Sequence, residues 1–385
     1  MHRRLALHLA AWLAGAALLR VGMIPPEICP AAAPFEVRVA VERAVGWLTG
    51  NQHPDGRFTY GFDRDAGEVN ADSNAARHAG VMMSLYQVAG SVDPGALAAA
   101  DAGLRLVLGQ TIDGDGWTAW APPGGDVPLG ANSLLAAGLA IRRDVTGDRS
   151  YDDLMRRLGG FLLGQQLPDG NMLAYWRPST GEPVPGVTGK WAIGEAAWAL
   201  AMLDTRFPGE GWGEAAVLTL DYMNLRRDRD EGRISRLPDH WAAYTLEALR
   251  PDLLTDERAG YARQLAGYFG IRLRFESQRT GEGLNLLTRW YPGPPAGVGT
   301  AGEGLGALWR LSLRDDRLAD LQQNMEERLR CTAGFMTERQ AVPTGDDPRP
   351  ELVEGAWFYR GYTQMDDQQH VISALLAALE AGGGR

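Results

Sequence analysis

Cysteine is nearly absent: Cys29 and Cys331 are the only two. Neither sits in a Cys-x-x-Cys pattern, so neither a disulfide framework nor a cysteine-rich zinc site is expected. Positive charge is also in deficit. Lys and Arg number 38 against 48 Asp and Glu, giving a formal net charge of −10. A nucleic-acid partner, which would need a basic face, is therefore not expected. Past the N-terminal segment, no apolar run is long enough to span a bilayer. Missing too are HExxH, P-loop and GxSxG signatures in a suitable setting. The glycine cluster "GVGTAGEG" (297–304) opens a helix without following a strand, so it makes no dinucleotide site. The His, Glu and Asp spacing gives no support for a metal, and no cofactor is expected.

The N-terminus has a pattern of its own. "MHRRLALHLAAWLAGAALL" carries two arginines and then an apolar stretch from Leu5 to Leu19, with "AAAP" following at 31–34. That order predicts a signal peptide cleaved near Ala33, which would leave one cysteine, or a membrane tether through residues 5–19. The protein would then be periplasmic, exported or anchored. A true start at Met23 would instead leave it cytoplasmic. The expected division is 1–33 as leader or anchor and 34–385 as a single domain.

A repeat organises that domain. "WLTGNQHPDGRFTYGFD" (47–63), "LRLVLGQTIDGDGWTAW" (104–120) and "FLLGQQLPDGNMLAYW" (161–176) share one design. Each is an apolar helical pattern ending at Gln, then an Asp-Gly turn, then an aromatic. Weaker echoes stand at 226–235, 278–287 and 331–338, a period of about 50–60 residues that signals a helical repeat. His53, inside the first turn, reads as a solvated turn residue. Between the turns run second helices such as "AARHAGVMMSLYQVAG" and "DDQQHVISALLAALE". The first helices are amphipathic, with Val41, Val45 and Leu48 on one face; the second are apolar nearly all round and should be the buried set. The chain thus reads as an all-α protein of six helical hairpins, twelve helices. It should close into an (α/α)6 toroid rather than an open solenoid, because its last helix is apolar and not a polar cap. "FTYGF" and "NMLAYW" suit short hairpins at the turns.

These "GQ…DG.W" segments resemble the glutamine–aspartate–tryptophan repeats of the terpenoid cyclase and protein prenyltransferase superfamily, which is an (α/α)6 toroid. They are also similar to turns in carbohydrate-active toroids: glycoside hydrolases, polysaccharide lyases and sugar epimerases. "NAARHAG", "DHWAAYTLEAL", "GEGLGALWRL" and "DDQQHVISALL" look like a group of bacterial toroid proteins as well. The likeness covers residues ~36–381 and is specific for fold and poor for function. It implies a pocket at one end of the central cavity.

Aligning the six second helices on their apolar runs puts His78, Asn132, Glu195, Trp241 (with His240 beside it), Glu303 and His370 at one level. Free N–H groups at the helix starts would favour an anion there. Arg77 and Lys190 add positive charge. Asn74 stands four residues before His78, and Asp366 four before His370. Trp191, Trp198, Trp241, Trp309 and Trp357 offer flat faces that would cover a sugar ring. Ser73, Asn74, Asp239 and Asp366 are equally good helix caps, and Glu195 and Glu303 could be capping-box acids.

A class II terpene cyclase needs an Asp-x-Asp-Asp acid, and "QMDDQQH" has only Asp366 and Asp367. A prenyltransferase needs an Asp, Cys and His zinc set, and Cys331 has no matching partner. Acid–base chemistry on an oligo- or polysaccharide remains. A glycosidase would use Glu195 and Glu303, with Asp366 or Asp367 in reserve. A uronate lyase or epimerase would neutralise the sugar carboxylate with Arg77 or Lys190 and take the α-proton with His78 or His370. There Asn74 would hydrogen-bond the enolate. The expected catalytic set is Glu195, Glu303, His78, His370 and Asp366. The expected substrate-binding set is Asn74, Arg77, Asn132, Lys190, Trp191, Asp239, His240, Trp241 and Asp367. A non-catalytic glycan-binding or assembly scaffold fits the same pattern.

Overall fold

The computed structural model describes residues 2–22, 25–232 and 237–383. The alternative start at Met23 and the end of the fourth turn echo lie outside the described residues. Twelve of the fifteen described α-helices pair as six hairpins. The outer members are α2 (Pro34–Gly50), α4 (Ala96–Leu108), α6 (Asp152–Gln165), α8 (Trp212–Leu225), α11 (Asp256–Ser277) and α14 (Gln322–Glu338). The inner members are α3 (Ala75–Ala89), α5 (Leu129–Thr146), α7 (Ala192–Arg206), α10 (His240–Ala248), α13 (Pro295–Ser312) and α15 (Met365–Ala381). Each inner helix packs on the next, and α15 packs back on α3, so the ring closes. The other three are α1 (His2–Gly22), α9 (Arg227–Asp230) and α12 (Gly283–Arg289).

Inner helices are apolar all round because they have neighbours all round; Val81, Leu135, Leu200, Leu305 and Leu375 are fully or almost fully buried. The repeat motif stitches the outer ring together. Gln52 Nε2 donates to Ala99 O on the next outer helix, 3.0 Å away, and Gln166 Nε2 does the same to Ala215 O at 2.8 Å. The motif glycine has the matching role: Gly56, at φ +94°, lies where a Cβ would be 2.3 Å from Ala102 O. Only glycine takes that conformation and that proximity together. Gln340 closes the circle, donating to Ala40 O on the first outer helix at 2.7 Å. The expected turn at 331–338 does not form. Those residues complete α14, and the turn follows at Gln340.

Small sheets cover the end of the ring where the inner helices begin. β1 (Gly61–Asp63) lies between β2 (Glu68–Asn70) and β8 (Tyr362–Gln364), which ties the first hairpin to the last. β3 (Thr111–Gly114) pairs with β4 (Trp117–Trp120), and β5 (Val127–Pro128), β6 (Tyr175–Arg177) and β7 (Glu182–Pro183) form a third sheet.

Cys29 and Cys331 form a disulfide, contrary to the expectation from their isolated positions in sequence. The residues from Pro25 onward dock on the outer ring. Gln278 Nε2 donates to Pro25 O, Ile28 N donates to Ser277 O, and Glu27 pairs with Arg274 and Arg328. The packed body therefore begins before residue 34, and cleavage near Ala33 would discard half of the disulfide. Helix α1 is exposed along its described side chains. No described helix is long and apolar enough to cross a membrane. The disulfide closes a loop of 302 residues. Cys331→Ser should cost about 2–4 kcal/mol, read as a lower denaturant midpoint that a reductant reproduces in the native protein.

Candidate active site

A cavity of about 410 Å³ opens at the N-terminal end of the inner helices, and all six of them contribute to its lining. Beneath it lies Glu303, fully buried on α13. Its position follows from packing. Gly299, Gly302 and Gly306 face α15, where added Cβ atoms would lie 2.5 Å from His370 C, 2.6 Å from Ala374 Cβ and 2.4 Å from Ala377 Cβ. Without side chains at these positions the two helices approach closely, and Glu303 Oε2 meets His370 Nδ1 at 2.8 Å. His240 Nε2 stands 3.5 Å from the same oxygen. The His240 and His370 rings lie 5.3 Å apart, nearly perpendicular.

The charges of this cluster follow from burial and pairing. Burial opposes a charge on His370, but Glu303, through charge and hydrogen bond, and then Asp366 and Asp367 outweigh it and hold the imidazole above its usual range. Glu303 is pushed up by burial and pulled back by His370. The pair thus retains a proton near neutrality. His240 is driven well below its usual range by burial, then by His370 and Arg272, and stays neutral. With Nδ1 committed to Glu303, His370 has only its other ring nitrogen left for the cavity that it lines. The ligating atoms of His240, Glu303 and His370 lie within 4.8 Å of one another, a spacing that a divalent ion could bridge.

Glu195 enters the same cavity from α7. It is buried, and its carboxyl has no hydrogen-bond partner among the described residues. Burial, with Asp239 adding to it, raises its pKa to about 8. It is therefore a neutral acid at pH 7. Its folded pKa lies above the ordinary carboxyl value of about 4.3, so its contribution to stability is full below that value. That contribution falls as pH rises and is lost through about 8. Glu195→Gln should flatten this fall, a change read from denaturant midpoints between about pH 5 and pH 9.

Asp366 and Arg77 line the cavity as an ion pair at 3.2 Å, and Arg77 also donates to the Tyr60 hydroxyl. Asp366 Oδ1 has no hydrogen-bond partner. Asn74 caps α3, accepting from Arg77 N at 3.0 Å, and borders the cavity. Trp191, 39% exposed, gives it an aromatic wall, while Trp241 lines it with an edge stacked on Trp198.

Several expected site residues do structural work elsewhere. His78 turns away, between Phe58 and Trp120, and lies 3.4 Å from Gly103 O. Burial lowers its pKa to about 4, so it is a neutral core ring bordering a separate cavity of about 360 Å³. Asn132 is spent on Trp120 N, Trp120 O and Pro128 O. Asp239 caps α10 and forms a fully buried ion pair with Arg227 at 2.6 Å. Asp367 accepts from Ala296 N and Gln364 N, joining the starts of α13 and α15. Lys190 is exposed over Trp191 and does not line the cavity. Trp198, Trp309 and Trp357 are core. Glu303 sits deeper than the common level because α13 begins at Pro295, earlier than its apolar run suggests.

Gln369 and Arg272 line the cavity and were not expected. Gln369 Nε2 lies 3.2 Å from His370 Nδ1. Arg272 comes from an outer helix, at the edge of the buried stripe formed by Leu265, Phe269, Leu273 and Glu276. A charged residue at the edge of an apolar stripe is the one signal that could have marked it.

No protein-family model matches the chain, and no curated protein sequence matches it either. Solved structures do. An unsaturated glucuronyl hydrolase specific for heparin aligns with TM-score 0.60 at 12% identity, over 91% of this chain and 99% of its own. A cellobiose 2-epimerase from Spirochaeta thermophila aligns with TM-score 0.61 at 14% identity, over 91% and 98%. The chain is an (α/α)6 toroid. A GH76 alpha-mannanase of Bacteroides thetaiotaomicron gives TM-score 0.62 at 9% identity, over 90% of this toroid and 98% of that chain. The carbohydrate-active side of the sequence resemblance matches these folds; they do not show the terpenoid-cyclase side.

Proposed function

We propose that the toroid acts on a sugar by acid–base chemistry, moving a proton at a carbon next to a carbonyl as an isomerase or epimerase does. One observation carries this reading: His370 Nδ1 is held by buried Glu303 at 2.8 Å, which orients the ring toward the cavity and raises its basicity. In the reaction, the free nitrogen of His370 takes the α-proton. The C–H electron pair moves into an enediolate, and the carbonyl oxygen gains negative charge. Glu195, protonated near neutrality, can donate a hydrogen bond to that oxygen. If the enediolate turns its other face to protonated His370 before the proton returns, the product is an epimer; return to the former carbonyl carbon, with the neighbouring hydroxyl proton passing to the former carbonyl oxygen, gives an isomer. The cellobiose 2-epimerase among the similar folds supports this class.

Hydrolysis is the second reading, favoured by Glu195 alone. An unpartnered, protonated carboxyl in a cavity that a second acid, Asp366, also lines is what a glycosidase needs. Its rate would fall as pH rises through about 8. Incubating purified protein with aldoses, uronates and oligosaccharides, then separating the products, distinguishes the readings. New epimers or ketoses support proton transfer; new reducing ends mean hydrolysis. An unsaturated-uronate chromophore means elimination, and binding without product means a scaffold. Loss of activity to a chelator, restored by a divalent ion, would assign His240, Glu303 and His370 to a metal instead.

Export belongs to the same proposal. The Cys29–Cys331 disulfide suits an oxidising compartment, and the basic-then-apolar leader suits secretion.

A further inference from the structure

Arg272 stands where two cavities meet. It lines the active-site cavity and also a neighbouring one of about 560 Å³. Its guanidinium forms no hydrogen bond or ion pair among the described residues. The nearest acid on its own helix is already taken. Glu276 accepts from Arg339 Nη1 at 2.6 Å, Gly293 N at 2.9 Å and Arg279 Nη1 at 3.1 Å. The first turn of α13 makes room for the side chain: a Cβ on Gly297 would lie 2.6 Å from Arg272 Nη2.

The surroundings make the unpaired charge costly. Arg272 is exposed where it lines the cavities, yet the protein packed around it lowers the pKa of its guanidinium, with Glu276 partly offsetting this. Its charge reaches His240. Of the other cations nearby, Arg77 is committed to Asp366 and Tyr60 and Arg279 to Glu276, while Arg289, which lines the second cavity, lies over the Phe275 ring 5.3 Å from its centroid. A partly desolvated guanidinium without a partner gains most from an oxyanion, which it can bind through two parallel hydrogen bonds. Tyr268 and Phe275, 39% and 45% exposed, line the second cavity and offer apolar faces to a further sugar.

We infer that Arg272 recognises an anionic group on the substrate, so that the protein acts on an acidic rather than a neutral saccharide. This rests on the reading of the cavity as a sugar site. The anion is held at the junction of the cavities, beside His240 and within the chamber that His370 lines. If it is a uronate carboxylate, its neutralisation by Arg272 also acidifies the neighbouring C–H.

Calorimetric titration of the disulfide-bonded protein tests this with D-glucuronate, D-mannuronate, D-glucose 6-phosphate, D-glucose and D-mannose. Acidic sugars should bind at least about tenfold tighter than neutral ones. Arg272→Met should lose about 10- to 100-fold for the acids, and Arg272→Lys should keep part of the preference. An unchanged unfolding midpoint shows that the Met variant is folded. The uronate and phosphate arms identify the anion. Equal binding of neutral sugars, or an acid preference that survives Arg272→Met, overturns the inference. Arg272-dependent binding of acids without exchange of the α-proton overturns the proton-transfer reading and leaves this inference standing. Exchange on neutral sugars that Arg272→Met does not alter does the reverse, and binding of no sugar contradicts both.

Discussion

His370→Asn should reduce turnover by roughly 10²- to 10⁴-fold, the range of a lost general acid or base, while the toroid stays folded. Asn is the informative replacement. Its amide can occupy the place of Nδ1 and still donate to Glu303, so the buried carboxylate keeps a partner. The second ring nitrogen, the one free to reach substrate, is gone. Sugar affinity should change little, because the loss falls on proton transfer rather than on binding. Glu303→Gln should show a milder form of the same defect with a shifted pH–rate profile, since the amide holds the ring without raising its basicity. Steady-state rates with circular dichroism and unfolding midpoints check both variants. Full activity in folded His370→Asn would remove His370 from the chemistry.

Asp239→Ala should cost about 3–5 kcal/mol of stability. The carboxylate is fully buried 2.6 Å from the Arg227 guanidinium, and it also accepts from Trp241 N at the start of α10. Burial pushes Asp239 up, with Arg227 and the amides of Trp241 and Ala242 pulling it back. A guanidinium does not give up its proton at ordinary pH, so Arg227 keeps its charge. Removing the acid leaves a buried charge alone and an uncapped helix that carries His240. Arg227→Met with Asp239→Leu removes both charges and should recover much of the loss. Urea unfolding of the single and double variants measures the difference. A single variant within 1 kcal/mol of the native protein would mean that the pair contributes little to this corner of the ring.

The fold was legible because its signals are local and repeated. A Gln–Asp-Gly turn is spelled out in adjacent residues, and its purpose, one outer helix bonded to the next, recurs at Gln52 and Gln166. Apolar surface on every side of the second helices announced the inner ring. The site was legible in part. His370, Glu195, Asp366, Arg77 and Trp191 line one cavity as their place at the helix starts implied. Side-chain direction was not legible. His78 and His370 have similar places in sequence, yet His78 packs on Phe58 and Trp120 toward the outer ring. Asn132 and Asp239 look the same as binding groups until their partners are known, and those partners are set by tertiary packing. The Cys29–Cys331 bond spans 302 residues and leaves no local trace. Arg272 was hidden because it comes from the outer ring, where charged residues are ordinary.

The proposed chemistry depends on one step, the exchange of a proton between His370, held by Glu303, and a sugar in this cavity. Proton NMR in D2O measures this directly, following the C–H signal next to the carbonyl of uronates and aldoses with native protein and with His370→Asn. The signal of at least one acidic sugar should fade with native protein and persist with the variant. Release of new reducing ends with every such C–H signal intact would contradict it.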